Sequence, residues 1–130
     1  MKKFFATIFA LILLTVSIAH AEIKTYTGNG EYLMTEENVD FAKSRAAINA
    51  ERNILDQVCV YVKGQSSMID NELDNDEVIS ISAGILHVTD TKYQMLDDAD
   101  GILVKATVTA QVDIDELETL LKQAIAERQH

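Results

Sequence analysis

Few side chains of the sequence are suited to nucleophilic or acid–base catalysis. A serine, threonine or cysteine nucleophile needs a nearby base, which is most often histidine. Beyond residue 21 the histidines are His87 and His130, and His87 lies between Leu86 and Val88 in a run that alternates apolar and polar residues. This position favours a partly exposed or hydrogen-bonded strand residue over a catalytic base, and no G-x-S-x-G motif is present. We therefore expect no catalytic residue and no enzymatic activity.

Carboxylates are abundant, and two groups of them raise the question of calcium binding. They occupy residues 70–76 and 97–100: Asp70, Glu72, Asp74 and Asp76, then Asp97, Asp98 and Asp100. Neither group matches the calcium loop of twelve residues with glycine at the sixth place and a bidentate glutamate at its end. Clusters of histidine and cysteine that could bind zinc are absent from the sequence. Solvated turns and helix caps explain the same residues, so we expect neither a metal site nor a cofactor.

Two further features suggest ligand or redox chemistry and are better explained by packing. Gly28-Asn29-Gly30 is a G-x-G pattern without a third glycine or a helix directly behind it. It predicts a strand irregularity or a close backbone approach and not a phosphate site. The single Cys59 excludes an internal disulfide, and its neighbours Val58 and Val60 favour a small buried apolar side chain over an intermolecular disulfide or a reactive thiol.

The first 21 residues resemble an export signal. Lys2 and Lys3 precede an apolar run that ends near Ile18, and Ala19-His20-Ala21 fits the pattern of a signal-peptidase site. The run is too short to span a bilayer comfortably, so we expect a cleaved signal peptide at residues 1–21 and not a retained anchor. No cysteine follows the run directly, so a lipid anchor is not expected. The expected location is the periplasm or the extracellular space, with no membrane insertion after cleavage.

The charge of the remaining chain excludes one class of partner. Without residues 1–21 the chain holds nine basic and 21 acidic residues, a formal net charge of −12. A nucleic-acid-binding protein neutralises phosphates with lysine and arginine, so this charge has the wrong sign. Nucleic acid and anionic lipid are poor partners, whereas basic proteins and divalent cations are permitted.

Residues 22–130 are enough for a single domain. Residues 23–34 alternate as a strand, and Thr35 is placed to cap a helix whose apolar residues recur every fourth position. That stripe consists of Ala42, Ala46, Ala50, Ile54 and Val58, with Val39 before it. Near Val58 the period changes towards two, which predicts a strand over residues 60–65.

The second half of the chain predicts a helix, a hairpin and a last helix. Asp74 and Glu77 form a capping-box pattern before a short helix over residues 75–83, which Gly84 would end in the left-handed conformation. Residues 85–96 and 102–112 alternate and are joined by a turn rich in aspartate, as in a β-hairpin. Asp113 with Glu116 repeats the capping pattern before an apolar stripe over residues 117–125.

The order of elements is therefore β-α-β-α-β-β-α. It predicts one α+β domain at residues 22–130, with a mainly antiparallel sheet of about four strands and its helices on one face.

Three runs of the sequence together match a known pattern: AKSRAAINAERNILDQVCVYV, DEVISISAGILHV and VKATVTAQVD. They resemble the N-terminal domain of the flagellar assembly protein T and a wider group of small exported bacterial proteins and lipoproteins, and the resemblance covers roughly residues 25–113. The Arg45 and Arg52 helix face and the Ser82-Ala83-Gly84 turn also match. The resemblance implies a periplasmic α/β interaction module. The chain stops after this module and one further helix, so we do not carry over a flagellar role.

These observations predict an exported, non-enzymatic interaction or assembly module of the bacterial envelope. Its expected partner is another envelope protein, which would dock on a sheet edge or on the polar face of the long helix. The alternative is a periplasmic domain that binds calcium or a small ligand, although no small-molecule substrate is identified.

Overall fold

The computed structural model describes residues 22–129, so the expected signal peptide at residues 1–21 and His130 lie outside the described part of the chain. Within residues 22–129 the chain forms three strands and four helices. In chain order these are β1 (Ile23–Met34), α1 (Val39–Gln65), α2 (Ser67–Glu72), α3 (Asn75–Ala83), β2 (His87–Asp98), β3 (Gly101–Asp113) and α4 (Ile114–Arg128). None of the helices in this part of the chain is long and apolar enough to cross a membrane.

The strands form one antiparallel sheet in the order β1-β3-β2. Strands β2 and β3 form the predicted hairpin, and β1 pairs with β3 along its whole length, from Ile23 opposite Asp113 to Met34 opposite Ile102. The predicted single α+β domain with an antiparallel sheet is confirmed. The described residues contain three strands instead of about four.

The helices cover one face of the sheet, which we call the inner face. Helix α1 packs over β1 and β3, α2 and α3 pack against α1, and α4 packs against α2 and α3. Alternate residues of β3 are buried under this layer: Val104, Ala106, Val108, Ala110 and Val112. The β3 residues between them, which point to the other face, are half-buried or exposed. This alternation is typical of an antiparallel sheet with one face on the core.

Helix α1 lies unusually close to β1 because small residues meet at their contact. Ala46 and Ala50 are fully buried on α1, and Gly28 and Gly30 lie beneath them on β1. A Cβ atom at Gly28 would lie 2.6 Å from Cγ1 of Ile54, and one at Gly30 would overlap the α1 backbone. The close backbone approach predicted for the two glycines is confirmed, and the β1–β3 register runs through them without a bulge.

The strand predicted over residues 60–65 is wrong, because α1 continues to Gln65. Val58 and Val62 are both fully buried, and Val62 extends the stripe of every fourth residue by one more turn. The helix propensity of valine is only a few tenths of a kcal/mol below that of most residues. Burial of two valine side chains at helical spacing outweighs that preference, since each is worth about 1.5 kcal/mol or more.

Three local predictions around the helix ends are also corrected. The N-cap of α1 is Asn38 and not Thr35, because the Asn38 side chain accepts a hydrogen bond of 2.8 Å from the Phe41 N–H. Gly84 has a φ of −69° and is not left-handed, since the last turn of α3 tightens through a bond from its N–H to Ile81 O. The expected polar turn before Asp74 contains α2, which is capped by the Ser66 hydroxyl.

Other end signals are confirmed. Helix α3 spans Asn75–Ala83 as predicted, and its capping box is complete in both directions between Asp74 and Glu77. Asp113 caps α4 by accepting from the Glu116 N–H at 3.1 Å. At the far end of α4, Arg128 pairs with the Glu77 carboxylate and donates to Glu72 O, which ties α4 to α2 and α3.

Candidate protein-docking surface

The face of the sheet opposite the helices is uncovered in the described part of the chain, and we call it the open face. None of the side chains that point to it is buried. Across β1, β3 and β2 it presents mainly threonine, asparagine, glutamine and charged residues. An antiparallel sheet can leave one face in water when that face is polar.

One row of the open face is apolar. Leu33 on β1 and Leu96 on β2 both lie directly opposite Leu103 on β3, so the three side chains are cross-strand neighbours. We call Leu33, Leu103 and Leu96 the leucine row. Leu33 and Leu96 are 37% and 38% exposed although strands normally turn such residues to the core. Directly opposite side chains in antiparallel strands are about 5 Å apart, so the row forms one continuous apolar stripe.

Charged residues border the leucine row. On one side Lys105 pairs with Glu31 at 3.6 Å. On the other side lies the hairpin turn, where the Asp98 carboxylate accepts a 3.1 Å hydrogen bond from the Asp100 N–H and both residues are exposed. The apolar stripe therefore has a negatively charged rim at the turn.

The edge of the sheet at β1 is closed by a ladder of amide side chains from α1. Asn49 Nδ2 donates to Glu31 O at 2.9 Å, and Gln57 Nε2 donates to Thr27 O at 3.0 Å. Between them Asn53 Oδ1 accepts from the Asn29 N–H at 3.2 Å. The three amides, Asn49, Asn53 and Gln57, are one helical turn apart and follow the strand. They satisfy backbone groups that another strand would need for pairing.

These bonds also fix which backbone groups of β2 are free. In an antiparallel ladder each residue directs its N–H and C=O to one side, and successive residues alternate. The backbone N–H and C=O groups of the odd-numbered residues of β1 point to the amide side chains of α1. Glu22 O accepts from the Ile114 N–H at 2.8 Å, so the backbone groups of the even-numbered residues point to β3. The same alternation applies to β3 and β2, so the backbone N–H and C=O groups of Lys92 and Gln94 point to β3. It leaves the N–H and C=O groups of Thr91, Tyr93 and Met95 directed at the free edge.

Strand β2 is consequently the open edge of the sheet. Apart from Thr91, which is half-buried, all its residues are exposed. Tyr93 and Met95 lie on the inner face, opposite the buried Ala106 and Val104, yet each is 42% exposed because α1 lies over β1 and β3. Lys43 of α1 reaches Tyr93, and its Nζ lies 5.3 Å from the Tyr93 ring centre.

The two ends of this open edge are marked. A β-bulge interrupts the β2–β3 register between Val88 and Asp90, where the Thr89 hydroxyl donates to Thr109 O at 3.2 Å. At the other end the strand stops at the turn after Asp98. Bulges and edge lysines such as Lys92 are features by which proteins limit pairing at an exposed edge. The regular stretch available to another strand is therefore residues 90–98.

The residues weighed for chemistry in the sequence lie apart from one another. His87 is exposed at the start of β2, opposite Gln111, as expected for a strand residue. His130 lies outside the described residues. Cys59 is buried on α1 as predicted, 3.6 Å from Oδ1 of Asn75, and burial raises the pKa of its thiol above the ordinary value. A raised pKa disfavours the reactive thiolate.

The acidic residues do not form a metal-type cluster in the part of the chain that the structure describes. No group of three or more histidine, cysteine, aspartate or glutamate side chains in residues 22–129 is arranged to hold a metal ion. Asp74 is used as the α3 cap, and Asp98 is used in the hairpin turn. The calcium alternative gains no support from this geometry.

One carboxylate has a clear structural task after β1. Glu37 accepts hydrogen bonds from the backbone N–H groups of Thr35 and Glu36 and, at 2.9 Å, from the Tyr32 hydroxyl. The pKa of Glu37 is lowered to about 2, first by the hydrogen bond from its own backbone N–H, then by those from Thr35 and Tyr32. This carboxylate shapes the connection from β1 to α1.

Sequence reasoning missed the two features that define this surface. Asn49, Asn53 and Gln57 share one face of α1 at spacings of four, which is a visible signal of an amide stripe. Leu33, Leu96 and Leu103 each fall out of phase with the buried alternation of their strands. Neither signal could be assigned without knowing which strand each element faces.

No model of a known protein family matches the chain, and a search of curated proteins finds no relative. The resemblance to the flagellar assembly protein T therefore stays a prediction that depends on the sequence runs alone.

Proposed function

We propose that the chain is an exported, non-enzymatic interaction or assembly module of the bacterial envelope, which docks another envelope protein on the open face of its sheet. One observation carries the proposal: the leucine row, in which Leu33 and Leu96 are exposed and Leu103 is half-buried, crosses all three strands of a face that none of the four described helices covers. Contiguous exposed apolar residues with a polar rim are typical of interaction sites. The exported location rests on the signal-like residues 1–21.

The surroundings of the leucine row define the chemistry of the partner. The exposed carboxylates of Asp98 and Asp100 lie at one side of it, and the exported chain carries a net charge of −12. The matching surface is an apolar ridge flanked by lysine or arginine side chains, which the negative rim attracts. The polar face of α1 is less suited because its exposed apolar side chains Ile48 and Val60 lie twelve residues apart among charged residues and do not form a continuous row.

Site-specific crosslinking in the native envelope tests this proposal. A photoreactive residue at Leu96 is expected to capture a reproducible protein partner, whereas the same residue at the exposed Glu127 on α4 is not. Leu33→Ser, introduced together with the Leu96 probe, is expected to reduce that capture while leaving the melting temperature almost unchanged, since Leu33 is already partly exposed.

Two results would contradict the proposal. One is capture at Leu96 that Leu33→Ser does not reduce. The other is the same set of captured proteins at Leu96 and at Glu127, which would indicate non-specific proximity.

A further inference from the structure

The unpaired edge of β2 has a second consequence, which goes beyond docking on the open face. We propose that a second copy of the chain pairs with β2, antiparallel and about a two-fold axis at Met95, so that two three-stranded sheets become one six-stranded sheet. The pairing uses the edge and the proposed function uses the open face, so each can fail without the other.

The closed β1 edge limits this assembly to two copies. The amides of Asn49, Asn53 and Gln57 occupy backbone groups in the middle of β1, which blocks that stretch to another strand. Pairing that uses one and the same edge on both copies is self-complementary and stops at a dimer. A sheet with two open edges would continue into a filament.

The backbone geometry restricts the register of the pair. Residues whose backbone N–H and C=O groups point to the edge must lie opposite one another in the two copies, so the two-fold axis must pass through a residue position. That residue must lie between the bulge at Thr89 and the turn after Asp98, with regular strand on both sides of it. The axis then falls at a residue of the segment 92–96. All these registers keep the open faces of the two copies on the same side.

Charge selects one register from this set. An axis at Met95 places Lys92 opposite Asp98 of the second copy, and the symmetry repeats the pair on the other side. An axis at Lys92 would place two lysines opposite each other, and one at Gln94 would place Asp90 opposite Asp98. Axes at Tyr93 or Leu96 bring no opposite charges together within the regular stretch 90–98. Like charges directly opposite are destabilising, and opposite charges are favourable.

The same register also covers the exposed inner-face side chains of β2, Tyr93 and Met95. Met95 would contact Met95 of the second copy, and Tyr93 would lie opposite its Asp97. Both Tyr93 and Met95 are exposed in the single chain. The dimer would thus satisfy the free backbone groups of the edge and bury the apolar side chains beside them.

Sedimentation of the exported protein tests this inference directly. We expect a dimer at micromolar concentrations. Lys92→Glu should raise the dissociation constant by at least about tenfold, because both ion pairs become like-charge pairs. Asp98→Lys should do the same, and the double variant that exchanges the two charges should restore the dimer.

Hydrogen exchange provides a measurement on the unmodified protein. The amides of Thr91, Tyr93 and Met95 should exchange more slowly as the protein concentration rises, while those of Lys92 and Gln94, which already face β3, should not change.

The inference is overturned if the unmodified protein is monomeric at these concentrations, if its dimer is insensitive to Lys92→Glu, or if the charge exchange fails to restore the dimer. Circular dichroism melts of each variant confirm that the fold is intact, which is expected because Lys92 is strongly exposed. The crosslinking at Leu96 can be repeated in the Lys92→Glu variant, so failure of the dimer is distinguished from failure of open-face docking.

Discussion

At Gly28 and Gly30 a hydrogen atom is the only side chain that the fold accommodates. The backbone of α1 occupies the space where a Cβ atom would lie, together with the Ile54 side chain at Gly28, and a helix backbone cannot rotate away from the clash. Ala46 and Ala50 supply the complementary small surface on the helix. Interiors are close-packed, and added atoms force backbone shifts. These four small residues set the distance between the helix and the sheet.

Gly30→Ala is therefore expected to destabilise the protein by about 3 kcal/mol or more, because the new methyl group pushes α1 away from β1. Gly64→Ala is the matched control. A Cβ atom at Gly64 meets nothing within 4 Å, and alanine in a helix is favoured over glycine, so this change should add up to about 1 kcal/mol. Urea unfolding of both variants measures the difference. Equal effects of the two substitutions would contradict the described contact.

At the scale of elements, the two edges of the sheet are treated differently. The β1 edge is closed by the amides of α1, whereas the β2 edge is exposed along residues 90–98. Edge strands are ready templates for pairing, and proteins normally cover or interrupt them. The asymmetry determines where another chain can add a strand.

Asn53→Ala is expected to open the middle of the β1 edge. The Asn29 N–H loses its acceptor, so its hydrogen exchange should accelerate, and the free energy of unfolding should fall by up to about 1 kcal/mol. Arg52→Ala, at the neighbouring and also exposed position, is the control and should leave Asn29 protected. Exchange followed by NMR resolves the single amide. Unchanged protection of Asn29 in Asn53→Ala would show that the ladder does not close this edge.

The neighbouring valines at the end of α1 distinguish a helix from a strand. In the helix Val62 is fully buried and Val60 is 75% exposed, whereas in a strand both would share one face. Val62→Ala should cost about 1–3 kcal/mol, and Val60→Ala should be neutral or slightly stabilising because alanine favours helix.

Thermal or urea unfolding of the two variants provides the measurement. A similar loss of unfolding free energy in both variants would contradict the helix and favour the strand that the local pattern predicts.

Local signals predicted most elements and failed where burial over a long distance decides. The β1 strand, the hairpin, α3 and α4 follow from alternation, capping residues and helical stripes, which act within a few residues. The end of α1 could not be predicted in this way. The β-branched residues after Val58 favour a strand locally, and only their burial against α2 and α3 stabilises the helix. Helix α2 could not be predicted for the same reason, since only the burial of Ile69 distinguishes this segment from a polar turn.

At the scale of the whole molecule, a layer of helices lies on one face of a sheet whose other face is open. The acidic excess, with nine basic against 21 acidic residues beyond residue 21, favours solubility and basic partners. The absence of catalytic motifs was visible in the sequence. The candidate docking surface was not visible there, because the strand order places β1 beside β3 and thereby leaves β2 at the edge. Periodicity within a strand contains no information about its neighbours.

The pairing of the first strand with the last one has a consequence for how the chain acquires its structure. Ile23 lies opposite Asp113, so β1 has no strand partner until almost all of the chain has been synthesised. Contacts this distant in sequence form late and slow folding. Pairing of β1 is therefore expected to be among the last steps of folding, after the β2–β3 hairpin has formed.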